Sequence, residues 1–162
     1  MNIEAIRQVS PLFIANFPHK ISISLFGSKV RKDKLDLELD EVFGSDIDLL
    51  FEIDPELFSY YSQLCYEKGV DFSSGEPIDP MDYYWQYYSS KKIRFEAIAE
   101  ILNLDESLVE RIFEAFKGNA LDILVLPFGW QKDAQLLEWI NDKDPKFSAS
   151  LQKDATILLE KT

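Results

Sequence analysis

The sequence predicts an α+β fold, a mixed β-sheet flanked by helices, and three observations carry that expectation. Short segments around Ile21–Phe26, Asp46–Ile53 and Ala120–Pro127 are apolar-rich, and the first two alternate with the period of a strand. The stretches between and around them have helical spacing and are bounded by capping residues, prolines and glycines. No internal repeat, low-complexity segment or linker divides the 162 residues, and a 46% hydrophobic content suits one domain with a genuine core.

In chain order, Ser10-Pro11 reads as an N-cap followed by a proline in the first helical position, so a second helix is expected there after a short initial one. Leu12, Phe13 and Phe17 would face the core before Pro18 ends it. In the first strand Ile21, Ile23 and Leu25 alternate with Ser22, Ser24 and Phe26, and Gly27-Ser28 closes it. Lys29 to Gly44 is charged and reads as an extended loop. The second strand runs from Asp46 to Ile53 and meets Asp54-Pro55, a cap and a helical first-turn proline; the helix that follows ends at Gly69.

Gly75, Pro77 and Pro80 mark a loop, and Tyr83-Tyr84-Trp85-Gln86-Tyr87-Tyr88 is the densest aromatic run, suited to core or partner packing or to stacking on a base. Ile93 to Asn103 is amphipathic, and Asp105 can cap a helix from Glu106 to Lys117 that stops at Gly118. The chain is thus read as a single domain over 1–162 with a helical insertion at about 70–118. The third strand is nearly all apolar, and its lone carboxylate, Asp122, needs a reason to be there. After Gly129 a helix carries Leu136, Leu137 and Ile140, and Ala155 to Leu159 supplies a last short strand.

Charge and rare residues narrow the chemistry. The balance of 17 basic and 29 acidic residues leaves a net charge of −12, which opposes binding to phosphate backbones and disfavours nucleic acid as a partner. Cys65 is the one cysteine and His19 the one histidine, so a disulfide framework, a cysteine-rich zinc site and histidine-based catalysis are all poorly supplied. No apolar run is long enough to span a membrane and the N-terminus lacks a signal-peptide pattern, so a cytoplasmic location is expected.

Asp46 and Asp48 are two apart on a strand, so both project from one face while Ile47, Leu49 and Phe51 project from the other. Carboxylates held that close repel unless a cation sits between them, and oxygen-only ligands suit Mg²⁺, which commonly binds carboxylates together with substrate phosphates. The spacing alone is unspecific, since Asp142 and Asp144 repeat it in a stretch that reads as a solvated loop. The combination of Gly27-Ser28 ending one strand, Asp46 and Asp48 on the next and Asp122 on a third is more specific.

In Phe26-Gly27-Ser28-Lys29-Val30-Arg31, Ser45-Asp46-Ile47-Asp48-Leu49-Leu50 and Phe116 to Leu124 the chain resembles the nucleotidyltransferase superfamily with the polymerase-β-like fold, in particular its minimal nucleotidyltransferase branch. The spacer between Ser28 and Asp46 is longer than usual in that branch, and Lys32 stands where a glycine commonly follows. The resemblance implies that Gly27 and Ser28 contact a triphosphate and that Lys29 and Arg31 neutralise it. It further implies that Asp46, Asp48 and Asp122 hold Mg²⁺, with Asp122 joining the second ion or taking the acceptor's proton.

The implied reaction moves a nucleoside monophosphate, AMP from ATP, to a hydroxyl. In that branch the acceptor is often a helical HEPN-type toxin, so a toxin–antitoxin pairing is expected of the partner. An aminoglycoside-type transferase is a second enzymatic version, for which the chain is short. The competing class is a catalytically inactive, protein-binding module of the same fold. Ala97 to Ile112 is spaced like a helix-turn-helix, but Asp105, Glu106, Glu110 and Glu114 would repel DNA, which leaves packing or partner docking as its role.

Overall fold

The computed structural model describes residues 3–27, 47–69, 91–116, 119–142 and 145–162. Its elements are α1 (Ile3–Val9), a 3₁₀ turn (Ser10–Ile14), β1 (Ile21–Phe26), β2 (Ile47–Ile53), α2 (Pro55–Gly69), α3 (Lys91–Ile101), α4 (Glu106–Ala115), β3 (Leu121–Pro127), a 3₁₀ turn (Trp130–Lys132), α5 (Ala134–Ile140), α6 (Phe147–Asp154) and β4 (Thr156–Lys161). The strands form one mixed sheet in the order β3-β2-β1-β4. β1 is antiparallel to β2 and to β4, and β2 is parallel to β3. A parallel pair needs a long crossover, and here α2, α3 and α4 lie within it.

Strand alternation sorts the core into two layers. Ile21, Ile23, Leu25, Ile47, Leu49, Phe51, Ile53, Ile123 and Val125 share one face and join a large buried cluster with α1, α2, α3 and α4. On the opposite face Leu50, Leu124 and Leu126 pack with Trp130, Leu136, Ile140 and Leu151, with Phe26 and Phe147 alongside. A bulge between Ile23 and Ser24 shifts the β4 register from Leu159 to Ile157, so that Leu158 and Leu159 both turn to the larger cluster.

Most expected elements form, and the differences have local causes. Ser10 does not cap a helix: its hydroxyl donates to the Ile6 carbonyl at 2.9 Å, and the chain passes directly from α1 into a 3₁₀ turn with Pro11 in its first positions. Asp105 does cap α4, its carboxylate accepting from the Leu108 amide at 2.8 Å. β4 runs on to Lys161, beyond the expected end at Leu159. Helix α6 has no counterpart among the elements expected from the sequence. It is anchored by Asn141, whose side-chain oxygen accepts from the Ser148 amide and whose nitrogen donates to the Ser148 hydroxyl, each at 2.8 Å. The Lys29–Gly44 loop, the 70–80 loop, the aromatic run 83–88 and the Lys117-Gly118 helix stop lie outside the described residues.

The serines of β1 show what the second layer does. Alternation alone would put Ser22 and Ser24 on a polar face, yet they are 4% and 2% exposed, because α5, α6 and the Trp130 turn cover that side of the sheet. Among the described residues no helix is long and apolar enough to cross a membrane.

Candidate functional site

The candidate site stands where β1 ends and β2 and β3 begin. Asp48 pairs in register with Phe26 on β1 and with Asp122 on β3, so the two aspartates are lateral neighbours on one face of the sheet. Parallel neighbours lie about 4.8 Å apart, so the two carboxylates are near enough to interact. Both residues are half-buried.

Gly27 forms the adjoining wall. Its φ of +81° lies in the left-handed region that glycine enters without strain. A side chain there has no room: a Cβ would stand 2.4 Å from the Asp48 Oδ2 atom. The bare backbone at the end of β1 therefore lets the Asp48 carboxylate approach where any other residue would displace it.

Asp122 has a partner that strand patterning does not reveal. Arg94 of α3, with a side chain 13% exposed, places Nη2 3.0 Å from Asp122 Oδ1. Its Nη1 donates to the Ile123 carbonyl at 3.1 Å. The Ala120 carbonyl faces β2 and accepts from Ile47, so the Ile123 carbonyl, three residues on, points off the edge of the described sheet. Arg94 thus clamps the free edge of β3 and sets its positive charge against Asp122 in one contact.

The pair is a charge contact without a directed hydrogen bond. Asp122 Oδ1 and Arg94 Nε are both buried and make no hydrogen bond among the described residues. Asp122 Oδ1, 3.0 Å from Arg94 Nη2, together with the neighbouring Asp48 carboxylate supplies oxygen donors of the kind a hard cation takes. In donor type the two carboxylates suit Mg²⁺. The described residues contain no group of three ligand side chains by themselves. Asp46, Ser28, Lys29 and Arg31 lie outside the described residues.

The sequence reading missed Arg94, although a signal was present. Arg94 is followed at i+3, i+4 and i+7 by Ala97, Ile98 and Ile101, all buried, so it belongs to the apolar stripe of α3. An arginine on such a stripe needs a partner inside the fold.

A second ionisable group shares this face, further along β2. Glu52 accepts from Trp130 Nε1 at 3.1 Å. Burial holds its carboxyl above the ordinary glutamate range, opposed by the Trp130 hydrogen bond, and then raised by Glu160 and lowered by Lys20. Ser22 stands in register with both Glu52 and Glu160, which aligns the two carboxylates in one row across the sheet. A groove of about 410 Å³ is lined by Lys91, Lys92, Phe95 and Glu96 of α3, Val109 and Phe113 of α4, and Leu121 of β3.

These features define an α+β protein whose mixed sheet presents paired carboxylates beside a glycine-closed strand end. Compared with known proteins, the chain matches no family model, no curated protein and no solved structure.

Proposed function

We propose that the chain is a Mg²⁺-dependent nucleotidyltransferase of the polymerase-β-like fold, transferring AMP from ATP to a hydroxyl. The observation that carries this reading is the register pairing of Asp48 with Asp122 beside Gly27. Mg²⁺ held by Asp46, Asp48 and Asp122 would neutralise the phosphates and lower the barrier to attack. As the resemblance implies, Gly27 and Ser28 would contact the triphosphate, and Lys29 and Arg31 would neutralise it.

In the transfer, the acceptor oxygen bonds to the α-phosphorus while the bond to the bridging oxygen of the β-phosphate breaks, and pyrophosphate leaves. The acceptor proton passes to Asp122 or to solvent. A hydroxyl on a helical toxin-like protein is the acceptor this reading favours, and the charge of −12 suits a basic partner.

The test is calorimetric titration with ATP, with and without Mg²⁺. Wild type should bind ATP only with the metal. Ser28→Ala should lose about 1.5–3 kcal/mol, a hydrogen bond to a charged group, with little change in thermal stability. Metal-independent binding, or none at all, favours a second reading, a noncatalytic protein-binding module. The apolar groove between α3 and α4, where Phe113 is 48% exposed, is the observation on its side.

A further inference from the structure

Two carboxylates side by side on adjacent strands repel each other, and among the described residues the Arg94 guanidinium stands 3.0 Å from one of them, Asp122. Arg94 is held from two directions: its helix buries Ala97, Ile98 and Ile101 in the same cluster as Ile123 and Val125 of β3, and its Nη1 is bonded to the Ile123 carbonyl at 3.1 Å. Its freedom to swing into solvent is small, with the side chain 13% exposed. The contact with Asp122 is close, at 3.0 Å, yet lacks hydrogen-bond alignment, so the guanidinium contributes charge there more than a directed bond.

We infer that Arg94 is a positioning residue that acts through Asp122, balancing that carboxylate in the metal-free chain and thereby weakening the site for a divalent ion that arrives without nucleotide. The inference rests on the metal-dependent reading of the site proposed above. A fixed positive charge next to a ligand carboxylate repels a free dication. A nucleotide brings negative phosphates with its metal, and that charge offsets the repulsion. Arg94 therefore makes loading conditional on the nucleotide: the metal enters as its triphosphate complex and is held poorly alone. The edge clamp to Ile123 gives Arg94 a structural duty as well, so the test must separate charge from support.

The experiment is calorimetric titration of the whole chain with Mn²⁺ alone, for wild type, Arg94→Met and Arg94→Lys. Arg94→Met keeps an apolar stem in place of the charge, and should bind Mn²⁺ about tenfold more tightly than wild type, or better. Arg94→Lys keeps the charge and loses the two-pronged contact, and should stay within about threefold of wild type. Equal or weaker binding by Arg94→Met would overturn the proposal, because a purely structural arginine has no reason to oppose the metal. Absence of Mn²⁺ binding in wild type and both variants would also overturn the inference, while the proposed activity stands or falls separately on Mg²⁺-dependent ATP binding by wild type. If Arg94→Met does not fold, NMR of arginine-labelled wild type decides: saturating Mg²⁺ should shift the Arg94 side-chain signals, and unmoved signals would reject the inference.

Discussion

Gly27 approaches Asp48 so closely that a methyl group on its α-carbon would lie 2.4 Å from the carboxylate oxygen Oδ2. The end of one strand is thereby shaped by the side chain of the next. Gly129 shares the left-handed backbone, with φ of +89°, but an added Cβ there meets nothing within 4 Å. Comparing the two positions separates backbone strain from the steric demand of the site.

Gly129→Ala should cost only the backbone term, about 1–2 kcal/mol. Gly27→Ala should cost more, since Asp48 must also move, and should abolish metal-dependent ATP binding. Urea unfolding and titration of both variants check this, and equal losses at the two sites would remove the claim that Gly27 shapes the carboxylate site.

Asp48→Asn keeps volume and removes charge. Under the two-metal reading it should lower Mg²⁺-dependent nucleotide turnover by orders of magnitude while the far-ultraviolet circular dichroism stays as in wild type. Turnover of labelled ATP with a competent acceptor is the measurement. Undiminished turnover would exclude Asp48 from the chemistry.

The raised carboxyl of Glu52 makes stability depend on pH with a definite sign. A group whose folded pKa lies above its unfolded value favours the fold when protonated. Its contribution is fully present below the ordinary glutamate value of about 4.3, and is lost as pH rises through the folded value. Glu52→Gln retains an acceptor for Trp130 Nε1 without the charge, so its stability relative to wild type should improve from acid to neutral pH and then level off. Urea midpoints from acid to neutral pH read this out, and an advantage that grows toward acid would contradict the burial argument.

Asn141 joins α5 to α6 through two hydrogen bonds with Ser148. Asn141→Ala should destabilise the fold by about 1–3 kcal/mol, because the Ser148 amide near the start of α6 loses its acceptor. Hydrogen exchange should quicken first in Phe147–Asp154. Protection of that helix equal to wild type would show that Leu151 packing alone holds it.

Much of the architecture was legible because it is local. Alternating apolar residues mark β1 and β2, and Asp105 and Asp54-Pro55 mark helix starts. The same period puts Asp48 on the face opposite Leu49 and Phe51, and a lone carboxylate marks β3 as unusual. Helix α6 was not legible: its sequence, Phe147 to Asp154, has only Leu151 and Ser148 buried, and its anchor is an asparagine seven residues before Ser148.

The sequence by itself determined which side of each strand is apolar and which residue types stand at the strand ends, since both follow from backbone geometry over a few residues. Tertiary structure alone decided that Asp48 meets Asp122, that Gly27 abuts Asp48 and that Arg94 reaches Asp122. Each of these depends on the register between neighbouring strands, or on how a helix docks against a sheet edge. Register and docking are set by the packing of the whole core, where burying two apolar layers at once leaves a single alignment of the strands, and no short stretch of sequence contains that information.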